Sequence, residues 1–120
     1  MNKYVSQKIT VEKPWGMFEQ FAKGEPVTVK ILTVNPHESL SLQFHNNREE
    51  FWKVLSGEGE LTLGDSTLLV GEGEEYFIEK RQKHRIKAGN CQVRILEISF
   101  GDFDENDIIR LEDKYNRERL

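Results

Sequence analysis

The 120-residue chain carries 17 Lys and Arg against 21 Asp and Glu, a formal charge of −4, and 37% of it is hydrophobic. That length suits one domain around one core, and the apolar content is too high for a disordered chain. No apolar run approaches the roughly 18–20 residues of a spanning helix, and the acidic balance argues against a nucleic-acid surface held by basic charge.

The opening stretch, residues 1–8, lacks the apolar segment of a secretory signal. A single cysteine, Cys91, excludes an internal disulfide and a Cys-rich zinc site. The expectation is a soluble, cytoplasmic protein with one domain over residues 1–120 and with neither nucleic-acid nor membrane partners.

In chain order, short β-branched and aromatic runs predict strands over 17–22, 27–34, 39–45, 50–55, 59–63, 67–70, 76–78 and 91–100. Gly, Pro, Asn and Asp break them, as at Gly24-Glu25-Pro26, Asn35-Pro36-His37, Gly64-Asp65-Ser66 and Gly71-Glu72-Gly73. Strands at roughly ten-residue spacing predict an all-β antiparallel barrel or sandwich. The tail, 104–120, has acids early and bases late, which suits a short C-terminal helix. An extended strap over the barrel is the alternative. Open strand edges invite pairing, so a homodimer is expected.

The stretch Ser39-Leu40-Ser41-Leu42-Gln43-Phe44-His45 alternates, so Ser41, Gln43 and His45 share one face and Leu40, Leu42 and Phe44 the other. If the polar face points into a closed barrel, Gln43 and His45 can both reach one ion. Glu50, opening the next strand, supplies a carboxylate, and His84 completes the set from a later loop. Such a mixed N/O set suits Zn²⁺ or another first-row divalent ion. The alternative is that Gln43 and His45 are surface residues on the wet face of a half-buried strand.

Residues 80–87, Lys80-Arg81-Gln82-Lys83-His84-Arg85-Ile86-Lys87, hold five cations and no acid in an acidic chain. Arg81, Lys83 and Arg85, with Arg48, are candidate phosphate-binding residues, and His84 inside the run would let metal and phosphate share one pocket. A solvated basic loop is the alternative. Trp15 and Trp52 read as core or pocket wall, Cys91 as a small buried hydrophobe, and His37 as an exposed turn residue. Neither a phosphate-cradling glycine loop nor a Gly-x-Ser-x-Gly elbow is present.

Three motifs then carry a resemblance. Val11-Glu12-Lys13-Pro14-Trp15-Gly16, the segment from Ser39 to Gly57, and Ile108-Ile109-Arg110-Leu111-Glu112-Asp113-Lys114-Tyr115 resemble, in order, those of the type II mannose-6-phosphate isomerases. The same cupin forms the C-terminal domain of bifunctional mannose-1-phosphate guanylyltransferases. The resemblance implies a cupin jelly-roll β-barrel and metal-dependent interconversion of mannose 6-phosphate and fructose 6-phosphate. It places His45, Glu50 and His84 at the family's motif positions, with Gln43 two residues before His45.

The chain departs from the motif at Asn46, Asn47 and Phe51, where the family has His. A metal held by Gln43, His45, Glu50 and His84 would not need them. The sequence singles out no proton-transfer base, and 120 residues leave no room for a nucleotidyltransferase domain beside the cupin. A non-catalytic sugar-phosphate-binding cupin and a cupin enzyme acting on nucleotide sugars are the other readings.

Overall fold

A computed structural model of the chain describes residues 8–115. Eleven strands run in order: β1 (Ile9–Lys13), β2 (Gly16–Gln20), β3 (Val27–Val34), β4 (Leu42–Phe44), β5 (Arg48–Ser56), β6 (Glu58–Leu63), β7 (Ser66–Gly71), β8 (Glu75–Ile78), β9 (His84–Ala88), β10 (Val93–Gly101) and β11 (Ile109–Glu112). β1 and β2 form a hairpin of their own. The others build a four-stranded sheet ordered β3-β10-β5-β8 and a five-stranded sheet ordered β11-β4-β9-β6-β7.

Alternation explains how the two sheets close on each other. Trp52, Val54, Ile78, Val93 and Ile95 of the four-stranded sheet meet Leu61, Val70, Ile86 and Ala88 of the five-stranded sheet in one buried cluster. Residues of opposite parity on the four-stranded sheet, Phe51, Phe77, Ile98 and Phe100, form a second cluster on its other face, covered by Phe21 and Val27. β5 and β10 therefore bury apolar side chains on both faces, and Arg48, Glu50 and Glu97 are the charged residues buried among them.

Two turns are set by backbone geometry. β6 and β7 are joined by Gly64-Asp65 between the paired Leu63 and Ser66, a two-residue hairpin with Gly64 at φ +62°. Gly57, between β5 and β6, sits at φ +84° with its α-carbon against the carbonyl of Gln92, so no side chain fits there.

Four expectations change. No helix occurs among the described residues: 109–112 form β11, so the extended strap is correct, and the part of the tail beyond 115 lies outside them. Apolar residues at Ile109 and Leu111 alternate in strand fashion, which overrides the dipole-like charge order. His84 opens β9 rather than lying in a loop, because Ile86 and Ala88 draw the segment onto the core. Trp15 stands at the hairpin tip, 72% exposed, while Trp52 is in the core. Cys91 is exposed, two residues before β10 begins, so it is no buried hydrophobe. His37 is exposed at φ +65°, as a turn residue should be. No helix of the described residues is long and apolar enough to cross a membrane.

Candidate metal centre

β4 is short, but its alternation carries on to either side. Ser41 and His45 are buried, so the polar face of this stretch does point inward. The chain then turns through Asn46 and Asn47, whose backbone N–H groups donate to the two carboxylate oxygens of Asp107 at 2.9 Å each. That bidentate cap fixes where β5 starts, and β5 sends Glu50 and Trp52 to the interior. Across the sheet, Gln43 pairs in register with His84, the first residue of β9.

His45, Glu50 and His84 converge, with ligand atoms all within 4.8 Å of one another. His45 Nε2 lies 3.5 Å from Glu50 Oε2 and His84 Nε2 lies 3.5 Å from Glu50 Oε1. Each ring is oriented from behind. Nδ1 of His45 is 2.7 Å from the carbonyl of Asp107, and Nδ1 of His84 is 2.9 Å from the carbonyl of Gln82. A carbonyl only accepts, so both Nδ1 atoms carry the proton and both Nε2 lone pairs face Glu50. Burial, partly opposed by Glu50, holds both imidazoles below the ordinary histidine pKa, so both rings are neutral at neutral pH.

His84 Nε2 is fully buried without a hydrogen-bond partner among the described residues. A lone pair left bare in a dry interior is costly, and a cation beside it is the simplest remedy. Two neutral imidazoles and a carboxylate, each aimed by a second group, fit a first-row divalent ion.

Gln43 adjoins the trio differently from expectation. Its amide nitrogen is 3.4 Å from His45 Nε2, while its oxygen accepts from Ser41 Oγ at 2.6 Å. As placed it donates toward His45; a half-turn of the amide would present the oxygen instead.

Behind Glu50 lies a group that sequence reasoning missed. The Trp52 indole N–H is 3.2 Å from both Glu50 Oε1 and Glu97 Oε1, and Ser99 Oγ is 3.4 Å from Glu97 Oε2. Burial, together with the Glu50 carboxylate, pushes Glu97 up to about 7. The signal was legible: on β10 the positions Val93, Ile95, Glu97 and Ser99 share the inward face, and an acid there is anomalous. Asp107 was missed as well, and no local pattern marks it. Burial works against its ionisation, yet the amides of Asn46 and Asn47 hold its pKa below the usual value.

The candidate phosphate residues do not gather as expected. Arg48 is buried against the trio, donating to Glu50 Oε2 at 3.0 Å, to His45 Nε2 at 3.3 Å and to the Asp104 carbonyl at 3.1 Å. Its guanidinium lies 4.6 Å from the Phe103 ring centre. Arg85 points to the outer face of β9, where it pairs with Glu112 at 3.2 Å. Lys83 lies 3.3 Å from Asp65, and Arg81 is exposed, its backbone N–H donating to the His45 carbonyl. Strand alternation separates His84 from Arg85, so they share no pocket. Two surface cavities, of about 390 and 280 Å³, include none of the trio, and Arg85 lines the smaller one together with Lys87, Lys114 and His37.

The histidines the motif lacks are accounted for. Phe51 lies on the opposite face of β5 from Glu50, packed on Phe21 with ring centres 5.2 Å apart. Asn46 and Asn47 act through their backbone amides, so none of the three substitutions removes a member of the trio.

Residues 1–113 match the family described as mannose-6-phosphate isomerase C-terminal. The chain belongs to that family. Within the mannose-6-phosphate isomerase C-terminal family, the xanthan biosynthesis protein XanB of Xanthomonas campestris pv. campestris (strain B100) is 39% identical over 109 residues, 89% of this chain and 23% of that protein. The mannose-1-phosphate guanylyltransferase 2 of Escherichia coli O157:H7 is 39% identical over 117 residues, 96% of this chain and 24% of that protein. The chain thus spans about a quarter of the length of these curated relatives.

Among solved structures, a cupin protein from Bacteroides fragilis superposes with a TM-score of 0.59 at 20% identity, covering 68% of this chain and 75% of that one. The all-β fold of this family member is the cupin barrel. By name, these relatives are a xanthan biosynthesis protein and a mannose-1-phosphate guanylyltransferase.

Proposed function

We propose that the chain is a metal-dependent aldose–ketose isomerase acting on mannose 6-phosphate and fructose 6-phosphate, with the ion held by His45, Glu50 and His84 and Zn²⁺ the best-suited candidate. The observation that carries this reading is the bare, buried Nε2 of His84 facing Glu50. Gln43 is the fourth candidate ligand, through its amide oxygen. A divalent ion bound there would supply Lewis-acid polarisation of the sugar carbonyl.

The chain's own residues do the rest. The carbonyls of Asp107 and Gln82 keep the Nδ1 protons in place and fix both imidazoles. Trp52 holds Glu50 and Glu97 in a common orientation through one N–H. Glu97, behind Glu50 and sharing the Trp52 N–H, braces that carboxylate from the interior side. The apolar walls from Trp52, Ile78 and Ile86 keep water from the site.

The test is a coupled assay of mannose 6-phosphate conversion with added Zn²⁺, run beside His84→Ala and chelator-treated protein. Metal-dependent turnover lost in His84→Ala is the expected result. Undiminished turnover in the variant overturns the metal-centre reading.

One observation favours a second reading, a non-catalytic cupin that binds sugar phosphates. Arg48 already places a cation against both Glu50 and His45. Metal analysis of purified protein separates the two: a stoichiometric ion supports the isomerase, and a metal-free protein still stabilised by mannose 6-phosphate supports the binding module.

A further inference from the structure

The phosphate candidates drawn from the basic run leave the inner face of the barrel without a free cation, but another residue supplies one. Arg110 on β11 pairs in register with Gln43 on β4, and Gln43 pairs with His84 on β9. Directly paired residues of adjacent antiparallel strands present their side chains on the same face. Arg110, Gln43 and His84 therefore form one row on the inner face of the five-stranded sheet. At about 4.8 Å per strand, Arg110 stands on the order of 10 Å from His84 across the sheet.

The local backbone makes this placement specific. The register shifts between Arg110 and Glu112, so β11 carries a bulge at that point. In an unbroken strand the two residues would share a face and could neutralise each other. The bulge turns Glu112 outward, where it pairs with Arg85, and leaves Arg110 as the least exposed residue of β11. Arg110 Nε is fully buried with no hydrogen-bond partner among the described residues, and no acid among them lies within ion-pair distance of its guanidinium. A half-buried guanidinium on this face, with its Nε unpartnered and no counter-ion among the described residues, is a poor structural element and a good anion receptor.

We propose that Arg110 is the anion anchor of the site, binding the phosphate monoester of a small sugar phosphate on the inner face of the five-stranded sheet. This rests on the isomerase reading for its sugar, and on the geometry alone for its phosphate. A hexose 6-phosphate reacts at C1 and C2 and carries its phosphate at the other end of the carbon chain. Separating the anchor from His84 by two strand spacings matches that separation of functions. Arg48, locked onto Glu50 and His45, positions the reacting end.

Calorimetric titration of the wild type and of Arg110→Gln with mannose 6-phosphate, mannose and inorganic phosphate tests the proposal, with Arg110→Lys and Arg85→Gln alongside and folding checked by circular dichroism. Arg110→Gln should weaken mannose 6-phosphate and inorganic phosphate by about 30-fold or more. Mannose binding should stay unchanged, Arg110→Lys should recover part of the loss, and Arg85→Gln should match the wild type. Equal phosphate affinities in wild type and Arg110→Gln overturn the proposal, as does an equal loss for mannose and its phosphate, or a wild type that binds no phosphate at all. If phosphate binding depends on Arg110 but the wild type does not isomerise the sugar, the anchor stands and the isomerase reading falls. Isomerisation with Arg110-independent binding gives the reverse.

Discussion

His84 and Arg85 are neighbours in sequence and stand on opposite faces of β9. His84 is fully buried with Nε2 3.5 Å from Glu50, while the Arg85 guanidinium lies on the outer surface 3.2 Å from Glu112. One peptide bond thus separates the interior chemistry from an ordinary surface ion pair.

From this follows a contrast between variants. Arg85→Gln and Lys83→Gln should change mannose 6-phosphate affinity less than about twofold, since exposed pairs contribute little. A larger loss measured by titration calorimetry would return the basic run to the site.

Metal binding should be visible as stability. An ion at one hundred times its Kd adds about 2.7 kcal/mol to the folded state, so Zn²⁺ should raise the melting temperature of the wild type. In His84→Ala and Glu50→Gln the rise should vanish, and metal content after dialysis should fall to background. A rise that persists in both variants would place the ion elsewhere.

Glu97 should make stability pH-dependent in a direction unusual for an acid. Its folded pKa of about 7 lies above the ordinary glutamate value of 4.5. Between those pH values the native state holds a proton that the unfolded chain has released. Stability therefore falls as pH rises through that window, by up to about 3 kcal/mol, and levels off above it. His45 and His84, held neutral in the fold, act in the opposite sense, favouring the native state as pH rises toward about 6.5. Glu97→Gln keeps an acceptor for Trp52 and isolates the carboxyl's share. Its stability relative to wild type should increase from pH 5 to pH 8 in denaturant titrations.

Two glycines with nearly the same backbone should respond differently to alanine. Gly73 has φ +87° and nothing within 4 Å of an added Cβ, so Gly73→Ala should cost about 1 kcal/mol from conformation alone. Gly57, at φ +84°, would drive the same atom into the Gln92 carbonyl oxygen, which belongs to backbone and cannot swing away. Gly57→Ala should cost more than about 2 kcal/mol, and calorimetric melting of both variants checks the difference.

Much of the site was legible in local pattern. The alternation around Gln43 and His45 put both on one face and left open whether that face was inward or wet; the burial of Ser41 and His45 decided it. The basic run misled because charge density was read without the period of two that β9 imposes on it. Glu97 could have been found, as an acid on the inward parity of β10. Asp107 and Arg110 could not. One acts on a turn 60 residues away, and the other depends on a bulge that resets parity within a four-residue strand.

The sequence by itself determined the strand-rich architecture, the shared face of Gln43 and His45, and membership in a family through motifs spread along the chain. Those properties follow from side-chain period and residue type, which are local. Only the tertiary structure decided that the His45 segment turns its polar face inward, that Arg48 is committed to the trio, and that Arg110 rather than Arg85 faces the interior. Those depend on register between strands distant in sequence, and register is fixed by the packing of the whole barrel.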